Sequence, residues 1–157
     1  MSAKSAIGIE TINGEIQAIY CRSDGHIKHN GAILENFYIK THKIKDLMRH
    51  GDLSILRNEI CPFMSHLNPP DSLMCEANNW CEFYFNGRKE PRIFSSRDSL
   101  INYFSKAEVN LIYIFSEKLK EWCFFNLNSN EEWISLAEIL NNYASEDLDF
   151  GYNLVER

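Results

Sequence analysis

No stretch of this 157-residue chain approaches the ~20 consecutive apolar residues that cross a bilayer. The opening Met1-Ser-Ala-Lys-Ser-Ala-Ile-Gly-Ile-Glu10 also lacks the continuous apolar core of a secretory signal. Glycine is scarce at seven residues, and there is no glycine-rich phosphate loop, Walker-type lysine or dinucleotide fingerprint. A nucleotide-driven enzyme is therefore not expected, and no cofactor is. Cysteine is present five times, an odd number, with no C-x-x-C pair and no spacing of a small disulfide-framed domain. We read these cysteines as reduced thiols of a cytoplasmic protein. Internal repeats and low-complexity tracts are absent as well.

What is present is a chain rich enough in apolar residues (45%) and aromatics (13%) to bury a substantial core in one domain. The net charge of −6 is unevenly placed. Residues 131–157 carry Glu131, Glu132, Glu138, Glu146, Asp147, Asp149 and Glu156 against Arg157 alone, while acids and bases balance over residues 1–130. Such an end suits a basic partner or simple solubility. We expect a single domain over residues 1–146 and an acidic tail over 147–157.

The hydrophobic pattern predicts the elements. Asn13-Gly14 between two apolar runs predicts an opening hairpin, and its second strand, with apolar residues on both faces, is expected to be internal. Ile33, Leu34, Phe37 and Tyr38 recur at helical spacing. Thr41 is expected to cap a second helix that buries Ile44, Leu47 and Met48 and stops at Gly51. Residues 59–80, with Pro62, Pro69 and Pro70, read as a long connection. Cys81 to Phe85 and Arg92 to Phe94, around Asn86-Gly87, are expected to pair as a second hairpin. Ser95 with Asp98 predicts one helix start and Ser129 with Glu132 another, with strands at Val109 to Phe115 and Glu121 to Leu127 between them. The sum is an α+β domain, an antiparallel sheet built from hairpins with helices mostly packed on one face.

The order Ala18-Ile-Tyr-Cys21, Asp24-Gly25, Gly31, Leu34 and Tyr38, then Lys45, Leu47, Gly51-Asp52-Leu53-Ser54 and Leu56, resembles a family of small uncharacterised phage and prophage accessory proteins. The stretches around Tyr113-Ile-Phe115 and Trp122 are similar to that family's C-terminal hairpin. The chain departs from the family pattern in carrying Arg22 where His is common and His26 where an aromatic is common. The resemblance implies a bacterial host cytoplasm and the company of inhibitors of host defence. It carries over no catalytic residue.

Chemistry-bearing residues concentrate between a strand end and a helix start: Asp24, Gly25, His26, His29 and Gly31, with Asp52 as the nearest extra carboxylate if the Gly51 turn folds back. A carboxylate and two imidazoles suit a divalent ion, so Asp24, His26, His29 and Asp52 form the alternative reading, a metal-dependent hydrolase or nuclease. Against it stands a plain turn at Asp24-Gly25 with exposed imidazoles and Asp52 as an N-cap. Cys61, His66, Cys75 and Cys81 supply four zinc-type ligands without zinc-type spacing, and buried thiols are the preferred reading. A Cys21 and His26 nucleophilic pair lacks an orienting third group. Lys40, Lys43, Lys45 and Arg49 could meet phosphates, although Asp46 and Asp52 dilute the patch. Our leading reading is a non-enzymatic protein that binds a host protein or ribonucleoprotein complex. The contact surfaces would be the Asp24 to Gly31 loop with Asp52, and the carboxylates Glu138, Glu146, Asp147 and Asp149.

Overall fold

The computed structural model describes residues 3–61, 79–129 and 132–149. Its opening element is the expected hairpin, β1 (Ser5–Glu10) antiparallel to β2 (Ile16–Cys21). Thr11 N–H donates to Glu15 O and Gly14 N–H to Thr11 O, and Gly14 has φ +92°, a conformation that glycine adopts without a Cβ penalty. A π-helical turn (Ile27–Gly31) leads into α1 (Ala32–Phe37), and α2 (Thr41–His50) follows. Helix α2 buries Ile44, Leu47 and Met48 and ends on Gly51, as its pattern predicts. Thr41 is not the cap: Lys40 occupies that position without a side-chain bond, and the Thr41 hydroxyl accepts from Lys120 Nζ.

The sheet continues through β3 (Leu53–Ile55), β4 (Glu82–Phe83), β5 (Arg92–Phe94), β6 (Leu111–Ser116), β7 (Glu121–Asn126) and β8 (Ile134–Ser135). Two further helices, α3 (Arg97–Lys106) and α4 (Leu136–Asp149), complete the order. The eight strands among the described residues join one sheet in the order β4-β3-β2-β1-β6-β7-β8, with β5 also on β2. Most pairs are antiparallel, but β1 pairs β6 in parallel and β3 meets β2 in parallel at Cys21 and Leu53. The sheet is therefore mixed within an α+β fold. The hairpin expected around Asn86-Gly87 does not form: β4 pairs β3, while β5 pairs β2 through Ile16, Gln17 and Ala18. Strand β2 is internal, shared between β1 on one side and β5 with β3 on the other.

Two cores flank the sheet. On one face Ile7, Ile9, Ile19, Tyr113, Phe115 and Phe124 pack against Leu34 of α1, Leu47 of α2 and Leu136 of α4. On the other, Ala6, Ala18, Ile112 and Ile114 pack against Leu100 and Phe104 of α3. Every residue of β6 is buried, as a strand covered on both faces requires. The start of α3 lies one residue beyond the expected cap: Ser96 accepts from Ser99 N–H, with Asp98 in the first turn. The last helix also starts later than expected. Ser135 Oγ, not Ser129, accepts from its Glu138 N–H, and Trp133 packs against Phe125 and Arg97. Helix α4 runs unbroken to Asp149, across the expected boundary at 146. The connection expected over 59–80 lies largely outside the described residues. Among the described residues no helix is long and apolar enough to cross a membrane.

Among the described residues α3 supplies the helix packed on this face, and Phe104 carries much of that core. Phe104→Ala is expected to lower the unfolding free energy by about 3–5 kcal/mol, read as a lower urea midpoint with an unchanged slope.

Candidate functional site

The loop singled out by its polar residues is a packed junction. Asp24 has φ +56°, a conformation Asp tolerates better than most residues. Gly25 donates its N–H to Ala3 O, and its carbonyl accepts from Tyr113 Oη at 2.6 Å. A Cβ on Gly25 would stand 2.9 Å from that of Ser5, so the close approach requires glycine. Gly31 is buried beneath Leu136 and Tyr113. Between them Asn30, fully buried, donates from its amide nitrogen to Ser23 O at 3.2 Å and accepts at Oδ1 from His29 Nδ1 at 2.9 Å. Asn30 is the residue that sequence reasoning passed over, and it holds the junction. His26 is exposed at the head of the π-helical turn. Among the described residues no three His, Cys, Asp or Glu side chains group as a metal site, so Asp24, His26 and His29 are not brought together as a ligand set.

Two of the thiols are buried. Cys21 is buried, which pushes its thiol up to about 11, and it contacts Ser23 O and the Asn30 amide, with no imidazole among its hydrogen-bond partners. Cys81 lies 3.2 Å from Tyr38 Oη and accepts from Arg57 N–H; burial raises its pKa too. Cys61 is disulfide-bonded, which corrects the expectation of five reduced thiols and removes it from a zinc set with Cys81. His66 and Cys75 lie outside the described residues.

Asp52 is not part of the Asp24 loop. Its Oδ1 accepts from Tyr20 N–H at 2.9 Å and its Oδ2 from Arg88 N–H at 3.0 Å. The Arg92 guanidinium adds a bidentate pair at 2.7 and 3.0 Å. The main chain is engaged as well, Asp52 N–H donating to Arg88 O and Asp52 O accepting from Tyr84 N–H. The turn before it needs glycine, since Gly51 has φ +86° and a Cβ there would meet Arg88 O at 2.1 Å. Arg92 in turn donates from Nε to Tyr103 Oη at 3.1 Å, tying the cluster to α3. Tyr20, Tyr84, Arg88, Arg92, Tyr103 and Phe104 thereby line an open cleft of about 300 Å³ on the α3 side of the sheet.

The basic helix face is largely neutralised. Lys43 Nζ donates to Phe37 O and Asn58 O and pairs with Glu59 at 2.9 Å, Lys45 pairs with Glu117 at 3.2 Å, and Arg49 pairs with Asp46. Lys40 remains exposed. Hydrogen bonding to Lys45 holds the Glu117 carboxyl below the usual carboxylate range. Of the expected acidic surface, Glu138 is exposed in the first turn of α4, whereas the side chains of Glu146, Asp147 and Asp149 lie outside the described residues.

Comparison with protein-family models, with curated proteins and with solved structures finds no match. The fold and its sites define a small α+β protein with a mixed sheet, a saturated buried ion pair and an aromatic cleft beside it.

Removing either partner of the buried pair leaves a charge unmatched. Asp52→Ala and Arg92→Ala are each expected to cost about 3–5 kcal/mol in urea unfolding, and the double variant less than their sum. Alkylation followed by mass spectrometry tests the thiols. At pH 8 the native protein is expected to leave Cys21 and Cys81 unmodified for hours, while in urea without reductant Cys21, Cys81 and Cys123 react rapidly and Cys61 does not.

Proposed function

We propose that this chain is a non-enzymatic binding protein of the phage accessory kind it resembles. It acts by protein–protein contact on a bacterial host protein or ribonucleoprotein complex, as an inhibitor of defence or regulation. One observation carries the reading: large apolar side chains stand in solvent at one end of the sheet. Ile12 is 73%, Ile39 65% and Leu119 63% exposed. Hydrogen bonds hold these segments to one another. Ile12 N–H donates to Glu117 Oε1, Lys45 reaches the same carboxylate, and Lys120 reaches Thr41. The result is a hairpin-tip surface in which apolar residues are interleaved with the exposed Lys40, Lys118 and Lys120. Exposed apolar groups rimmed by charge are the usual composition of a contact surface, and the lysines match an acidic partner.

The reading is tested by affinity capture from bacterial lysate with tagged protein. Wild type is expected to retain one stoichiometric protein, and Ile12→Asp combined with Leu119→Asp to lose it with the melting temperature unchanged. Capture by the double variant at wild-type yield overturns the assignment of this surface. A variant neutralising Glu138, Glu146, Asp147 and Asp149 tests the acidic end: unchanged affinity and salt dependence exclude it from the contact.

A further inference from the structure

The cleft over Asp52 has a composition that its structural role does not require. Stabilising the buried carboxylate needs only Arg92 and the two backbone N–H groups of Tyr20 and Arg88. Four aromatic rings nevertheless border the space. Tyr103 and Phe104 meet edge to face at 5.0 Å on α3, and Tyr20 and Tyr84 stand on the sheet and the following loop. One lining cation exceeds what Asp52 neutralises. The Arg88 side chain is half exposed, with a long contact of 3.5 Å to Glu90, and outside the lining the Arg22 guanidinium lies 5.0 Å from the Tyr84 ring centroid. Asn86 adds an exposed amide at the rim, a donor and an acceptor on one group.

Rings bind planar ligands by stacking, arginine forks bind phosphate, and an amide reads a heterocycle edge. A concave, mainly apolar space with a few convergent polar groups is the usual form of a small-ligand site, and about 300 Å³ lies at the small end of that range. We propose that this cleft binds a mononucleotide. The base lies among Tyr20, Tyr84 and Tyr103, and the phosphate is held by Arg88. Asp52 and Arg92 do not contact the phosphate: they fix the floor, so the site is preorganised and needs no change in the ion pair. The site is separate from the hairpin-tip surface and stands whether or not that surface is the protein contact.

Titration calorimetry with the four nucleoside monophosphates, the matched nucleosides and inorganic phosphate tests the proposal. At least one monophosphate is expected to bind saturably below about 1 mM, with its nucleoside and phosphate each at least about tenfold weaker. Tyr84→Ala and Arg88→Gln are each expected to weaken it about tenfold with unchanged circular dichroism and melting temperature, because neither side chain bonds Asp52. A 5′-phosphorylated dinucleotide separates the two sources of such a ligand: tighter binding than the monophosphate assigns a strand end, weaker binding a free nucleotide. The proposal is overturned if no monophosphate gives saturable heat up to about 5 mM. Binding left unchanged by both substitutions overturns it equally.

Discussion

The constraint on which most of this structure depends is the desolvation of one carboxylate. Asp52 is 3% exposed, and a bare charge at that depth would cost several kcal/mol. Four hydrogen bonds to its oxygens offset it, with donors from β2, the loop before β5, and β5 itself, and two main-chain bonds tie Asp52 to Tyr84 and Arg88. Through Arg92 and Tyr103 the same network reaches α3. Each of these segments would otherwise be weakly held: β4 is two residues long, β5 three, and β3 meets β2 at a single pair. The ion pair fixes how these short pieces sit against β2. Net stability from such a pair is small, so its contribution is specificity of arrangement more than free energy.

The opposite face solves a similar problem with neutral groups. Asn30 is fully buried and satisfied by Ser23, Ser5 and His29, and Tyr113 closes the loop by donating to Gly25 O. Trp122 donates to Tyr38 O, and Tyr38 in turn donates to Arg57 O at 2.7 Å. These contacts turn a loop rich in functional-looking residues into a structural corner.

Locally encoded features were legible in the sequence. Asn13-Gly14 marks the first hairpin, the apolar period of α2 and its Gly51 stop are plain, and β6 and β7 form where two strands are expected. Serine doublets blurred the caps, because Ser95 and Ser96 differ by one position and only geometry decides between them. Non-local pairing was illegible. Asn86-Gly87 carries a hairpin signal, yet the loop wraps the Asp52 side chain, and a Cβ on Gly87 would meet Asp52 Cβ at 2.6 Å. Asp52 stood out as a polar residue after glycine, but its partner Arg92 is 40 positions away. No periodicity or turn preference carries that distance. The cleft is invisible in the sequence for the same reason: Tyr20, Tyr84 and Tyr103 lie on separate segments, and only the fold places them together.

The parallel seam between β1 and β6 has a consequence for the birth of the molecule on the ribosome. Ser5 pairs with Leu111 and Glu10 with Ser116, so the middle of the sheet joins the first strand to one made two thirds of a chain later. Until then the opening hairpin has an unsatisfied edge of apolar residues, a template for a wrong neighbour. Closing so long a loop makes the fold one of high contact order and slow assembly. During synthesis, chaperone occupancy should persist until β6 has emerged from the exit tunnel.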